Sequence, residues 1–91
     1  MSRITTLHPE KQKEGVTIDE EKYNTIREAI FTVLDDQGPI SFTELTEEVA
    51  TLVGRTFDGS IPWYVTTIKL DLEARRQIRV DRSGKRQVIN R

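Results

Sequence analysis

The sequence predicts a mostly α fold of the α+β class: a three-helix bundle followed by a small C-terminal β-hairpin. Three observations predict it. Three segments of helical length carry apolar stripes bounded by recognisable caps and stops. Residues 78–81 and 86–89 are β-prone and flank the turn-forming run RSGK at 82–85. Residues 60–75, placed on a helix at about 100° per residue, have two apolar faces instead of one. Ile61, Val65, Ile68 and Leu72 fall in a narrow stripe, while Trp63, Thr67, Leu70 and Ala74 line the opposite side. One face is expected to build the core. The other must meet a partner, and the nature of that partner decides the function.

Residues 1–17 are polar, contain Pro9 and Gly15 and show no sustained period, so they read as an N-terminal arm ahead of a domain at 18–91. Ile4, Leu7, Val16 and Ile18 give the arm the means to dock or to exchange between protomers. The first helix opens at Asp19, with Glu20 and Glu21 at the positive end of the dipole and Ile18 and Tyr23 placed as a hydrophobic staple. Tyr23, Ile26, Ile30, Val33 and Leu34 form its buried stripe, flanked by Phe31, and Gly38 and Pro39 end it. A brief strand at 40–42 follows. Ser41 or Thr43 then caps the second helix, and Ser41 with Glu44 fits a capping box. Leu45, Val49, Leu52 and Val53 are its apolar face, and Gly54 stops it. The connection at 55–59 is longer than the usual helix-turn-helix turn, so Phe57 is expected to tuck inward. Ser60 caps the third helix, Pro62 sits in its first turn, and the helix should run to Arg75 or Arg76. With Ser83 and Gly84 as a two-residue turn, Ile78 would face Ile89 and Asp81 would face Arg86.

Ninety-one residues make one small domain that buries roughly 60 to 65% of its unfolded surface. The absence of Cys excludes a disulfide framework, a thiolate metal site and a cysteine nucleophile. The N-terminus lacks the apolar core of a signal peptide, and no apolar run approaches membrane-spanning length. A cytoplasmic protein without a membrane segment is the expectation. Net charge is only −1, yet residues 1–54 hold 5 Lys/Arg against 11 Asp/Glu and residues 55–91 hold 9 against 4. An acidic half followed by a basic half hints at nucleic-acid contact through the C-terminal half, and equally fits charge complementarity within one fold.

Helix, short strand, helix, helix and basic hairpin is the order of a winged helix-turn-helix domain. The run LEARRQI at 72–78 resembles the end of a winged-helix recognition helix entering the first wing strand. The wider run GSIPWYVTTIKLDLEAR at 59–75 resembles a group of small bacterial winged-helix proteins of uncharacterised function. The resemblance covers roughly residues 19–90 and implies a fold used both by DNA readers and by protein–protein modules. Arg76 stands where such a helix usually closes on Gly, and Gln77 where an apolar residue is common. A left-handed non-Gly residue costs on the order of 1 kcal/mol, so the helix is expected to end by another route.

Catalysis is the weakest class. There is one His, no Gly-rich phosphate loop and no carboxylate pair in an acid/base setting, and Ser60 has no base beside it. No cofactor or metal is expected. DNA binding, as in a small transcriptional regulator, would place Thr66, Thr67 and Lys69 of the third helix in the major groove, with Arg79, Arg82, Lys85 and Arg86 of the wing on phosphates. Against it, the helix offers only Lys69 among the usual base readers, and Glu44, Glu47 and Glu48 would repel the backbone. The competing class is protein contact or homodimerisation through Trp63, Leu70 and Ala74, large apolar side chains being frequent interface anchors. The plainest alternative is that the chain's own arm covers that face.

Overall fold

The computed structural model describes residues 2–9 and 15–91. The 10–14 part of the expected arm lies outside them. Three helices, α1 (Glu20–Gln37), α2 (Phe42–Val53) and α3 (Ile61–Ala74), pack around one core. A two-stranded ribbon, β1 (Arg3–Thr5) and β2 (Thr17–Asp19), precedes them. A three-stranded antiparallel sheet joins β3 (Ile40–Ser41) to β4 (Arg79–Asp81) and β5 (Val88–Asn90) in the order β3-β5-β4.

Local chemistry sets the helix ends. The Asp19 carboxylate accepts from the Glu21 N–H at 2.9 Å. Ser41 caps α2, its hydroxyl accepting from the Glu44 N–H at 3.2 Å and donating to the Glu44 carboxylate at 3.0 Å. Ser60 caps α3 through the Trp63 N–H at 3.4 Å, with Pro62 inside the first turn. Gly54 ends α2 at φ 69°, a conformation that a side chain would strain.

The end of α3 differs from expectation. Arg76 does take the left-handed conformation, at φ 62°. Its N–H reaches the Glu73 carbonyl at 3.0 Å, and the Gln77 N–H reaches the Leu72 carbonyl at 2.9 Å. These two bonds are a Schellman closure, and they offset the conformational cost by satisfying carbonyls the helix would otherwise leave open. Ile78, one residue further, supplies the buried contact.

The core draws Tyr23, Ile26, Ile30, Val33 and Leu34 from α1, Leu45 and Val49 from α2, and Val65, Ile68 and Leu72 from α3, closed by Ile40, Ile78 and Ile89. Leu52 was expected there and is instead exposed, while Val53 makes the contact. Helices crossing at an angle diverge toward their ends, so a residue in phase at the last turn can miss the partner. Phe57 does tuck inward, meeting Tyr64 edge-on at 5.1 Å between ring centres.

The hairpin register also departs from expectation. Val80, not Ile78, faces Ile89, and Asp81 faces Val88, not Arg86. The strand stops early because the Asp81 carboxylate folds forward to accept from the Ser83 N–H at 2.9 Å and its hydroxyl at 2.6 Å. Residues 82–87 therefore form a longer loop in place of a two-residue turn.

The expected arm is tied in as well. The division between 17 and 18 falls inside β2, where Ile4 pairs with Ile18 and Thr5 with Thr17. The Thr6 N–H donates to the Val16 carbonyl at 2.8 Å, and the Val16 N–H donates to the Thr6 hydroxyl at 2.9 Å. Gly15 is required at this crossing, because a Cβ there would sit 1.7 Å from the Thr6 carbonyl oxygen.

Candidate functional site

α3 touches the N-terminal segment on one side and the β4–β5 hairpin on the other, so the candidate surfaces from the sequence lie around it. Asp71 anchors the ribbon. Its carboxylate is fully buried and accepts from the Leu7 N–H at 2.8 Å, from the Tyr23 hydroxyl, and from Arg75 Nε at 3.0 Å. Ribbon, α1 and α3 thus meet on one carboxylate. Burial, reinforced by the hydrogen bond to Asp71 and its negative charge, pushes the Tyr23 hydroxyl up to about 12. The Asp71 hydrogen bond likewise raises Arg75 above its ordinary value.

Two residues earlier on the helix, Lys69 is only 3% exposed. Its ammonium donates to Gln87 Oε1 at 2.8 Å and lies 4.7 Å from the centre of the Phe42 ring. Burial lowers its pKa, with the Arg82 charge acting in the same direction and Glu73 opposing. Lys69, expected in a DNA groove, reaches Gln87 in the loop between β4 and β5. Its long aliphatic stem packs inward while the head finds a polar acceptor there.

The remaining expected nucleic-acid contacts divide. Arg82 grips Glu73 with two bonds of 2.6 and 2.7 Å, holding that carboxyl below its usual range. Thr66 is exposed, and its hydroxyl donates to the Pro62 carbonyl at 2.8 Å. Thr67 is half-buried beside the ribbon. Arg79, Lys85 and Arg86 are exposed on the hairpin, with no ion pair among the described residues.

The opposite face of α3 carries the expected interface residues. Trp63 is 44% exposed, with Leu70 and Ala74 half-buried. The ribbon does approach this face, but it leaves a groove lined by Thr6, Leu7, Val16, Trp63, Thr67 and Leu70. Leu7 and Val16 remain exposed at 45% and 38%. Of the four large apolar side chains exposed among the described residues, three therefore gather around one groove. Trp63 is braced edge-on against Tyr64 at 5.0 Å, which limits how far it can fold away.

Sequence reasoning passed over Asp71, Tyr23 and Gln87 as polar partners. One signal was present: Asp71 lies beside the Ile68/Leu72 stripe with Arg75 one turn on, a carboxylate at the core margin with a cation in reach. Among the described residues no group of three or more His, Asp or Glu could hold a metal ion, and no helix is long and apolar enough to cross a membrane.

A family model matches residues 3–88, from the first strand of the ribbon to the first residue of β5. The chain belongs to DUF6958, a family of unknown function. The DUF6958 match takes in the ribbon and its contact with α3 as well as the helical bundle. No curated protein and no solved structure gives a significant match.

Proposed function

We propose that this DUF6958 chain is a winged helix-turn-helix module that acts by self-association through the groove between α3 and the N-terminal ribbon. The element order α1-β3-α2-α3-β4-β5 and the sheet order β3-β5-β4 support the winged-helix assignment. The observation that carries the functional reading is the gathering of Trp63, Leu7 and Val16, all exposed, around one groove. Clustered exposed apolar side chains mark contact surfaces in a way that scattered ones do not.

A second copy is the occupant assigned here because the ribbon beside the groove has only two strands. Such a ribbon is marginal alone, and its open edges are templates for pairing. Across a two-fold axis the same edge meets itself, the commonest arrangement in homo-oligomers. Sedimentation velocity tests the reading: wild type should dimerise and Trp63→Ala should run as monomer with an unchanged monomer melting temperature. Monomeric wild type at every concentration would sink it.

A second reading keeps DNA, favoured by Arg79, Lys85 and Arg86 lying exposed on the hairpin, with no ion pair among the described residues. In it the exposed cations of the hairpin make the phosphate contacts, Arg82 being paired with Glu73. Anisotropy of labelled duplex at about 50 and 200 mM salt separates the two. Salt-sensitive binding lost on reversing Arg79 and Arg86 to Glu supports the wing, and absent binding removes it.

A further inference from the structure

A cleft of about 480 Å³ opens where the N-terminal segment, α3 and the wing converge. Its lining includes His8 from the segment, Thr66, Lys69 and Glu73 from α3, and Arg82 and Gln87 from the wing. It adjoins the Trp63 groove, with His8 and Leu70 lining both, and its charged groups face away from the apolar cluster described above.

The charges in this cleft are unevenly matched. Glu73 and Arg82 neutralise each other through their paired bonds. Lys69 directly contacts only a neutral amide oxygen and an aromatic face, and Glu73, already bound to Arg82, acts on it from beyond ion-pair distance. A buried ammonium is costly without a counter-charge. A carboxamide accepts one of its three N–H donors. An open, polar-lined cavity beside such a group offers a place where an anion would complete it.

We propose that this cleft is a binding site for an oxyanion of phosphate size, with Lys69 as its central cation. The ammonium supplies the charge, and Gln87 and Phe42 hold the ammonium in place. Glu73 lowers affinity by its own charge and by holding Arg82. The oxyanion is a free phosphate group or the phosphate of a nucleic-acid backbone, which share this chemistry.

The test is an amide chemical-shift titration of the full chain with inorganic phosphate, at constant ionic strength in chloride. The expected result is a saturable shift confined to the amides of Thr66, Leu70, Glu73 and Gln87. Lys69→Met should weaken it by about tenfold or more, the loss of one charge-assisted contact. Gln87→Glu, which gives Lys69 an internal counter-ion and keeps the fold, should do the same. Glu73→Gln, which removes the competing carboxylate, should tighten binding, and Arg55→Met, exposed in the loop after α2, should leave it unchanged. Short duplex DNA in a parallel titration identifies the source: shifts at these amides with phosphate alone assign a free anion, and shifts with duplex alone assign a backbone phosphate. No saturable shift with either probe, wild-type affinity in both Lys69→Met and Gln87→Glu, or equal weakening by Arg55→Met would overturn the site.

Discussion

Lys69 and Asp71 are both buried charges, two residues apart on α3, and their surroundings differ in kind. Asp71 collects a backbone N–H, a phenol and a guanidinium, donors from three parts of the chain closing on one carboxylate. Lys69 has a neutral amide and a ring. The first is a circuit complete within the fold, and removing it strands partners. The second is incomplete beside an open cleft, and removing it strands little. Burial of a charge therefore does not by itself distinguish structure from function; the inventory of its partners does.

The comparison breaks first at Asp71. Asp71→Ala leaves the Leu7 N–H, Tyr23 hydroxyl and Arg75 guanidinium without their shared acceptor and should destabilise the chain by about 3 to 5 kcal/mol, measured by urea denaturation. Near-wild-type stability would mean that the ribbon anchor contributes nothing. Leu72→Ala, fully buried beside it, calibrates that loss against a purely apolar one and should cost about 2 to 5 kcal/mol. A smaller value would require the packing phase of α3 to be redrawn.

Tyr23→Phe removes one of the three donors and should cost about 1 to 3 kcal/mol at neutral pH. It also carries a pH signature. Because Tyr23 ionises at about 12 in the fold against an ordinary 10.0, its contribution is fully present below pH 10 and is lost as pH rises from 10 toward 12. Melting temperatures should fall over that window in wild type and fall less in Tyr23→Phe; parallel profiles would contradict the assignment. Lys69→Met should have the smallest effect of the four, within about 1 kcal/mol of wild type in either direction, since an apolar side chain of similar length relieves the desolvation of an unpaired ammonium. A loss as large as that of Asp71→Ala would erase the distinction between the two sites.

Much of this arrangement was legible in the residues. Asp19, Ser41 and Ser60 cap where their chemistry places them, and the Ile61/Val65/Ile68/Leu72 stripe faces the core with Trp63 on the far side. These features are local, set by helical period and by side chains reaching the next two or three backbone groups. The missed features depend on groups far apart in the chain. Ser83-Gly84 promised a two-residue turn, but Asp81 capped the loop and Gln87 was drawn toward Lys69, so pairing on the last strand begins at Val88. Arg76 was expected to avoid the left-handed conformation, and the closure onto Leu72 and Glu73 made it acceptable. The Asp71 cluster joins residues 7, 23 and 71, a connection no periodicity announces.

Self-association through the groove is the central functional claim, and Trp63, the single Trp of the chain, reports on it directly. The most direct measurement follows its emission maximum over about a thousandfold dilution, the span a micromolar dimer needs to dissociate. The account predicts a shorter-wavelength maximum at high concentration, moving to longer wavelength on dilution as the half-exposed indole meets water, with the midpoint shifted toward higher concentration in Leu7→Ser. An emission maximum that stays constant across the whole range would contradict it.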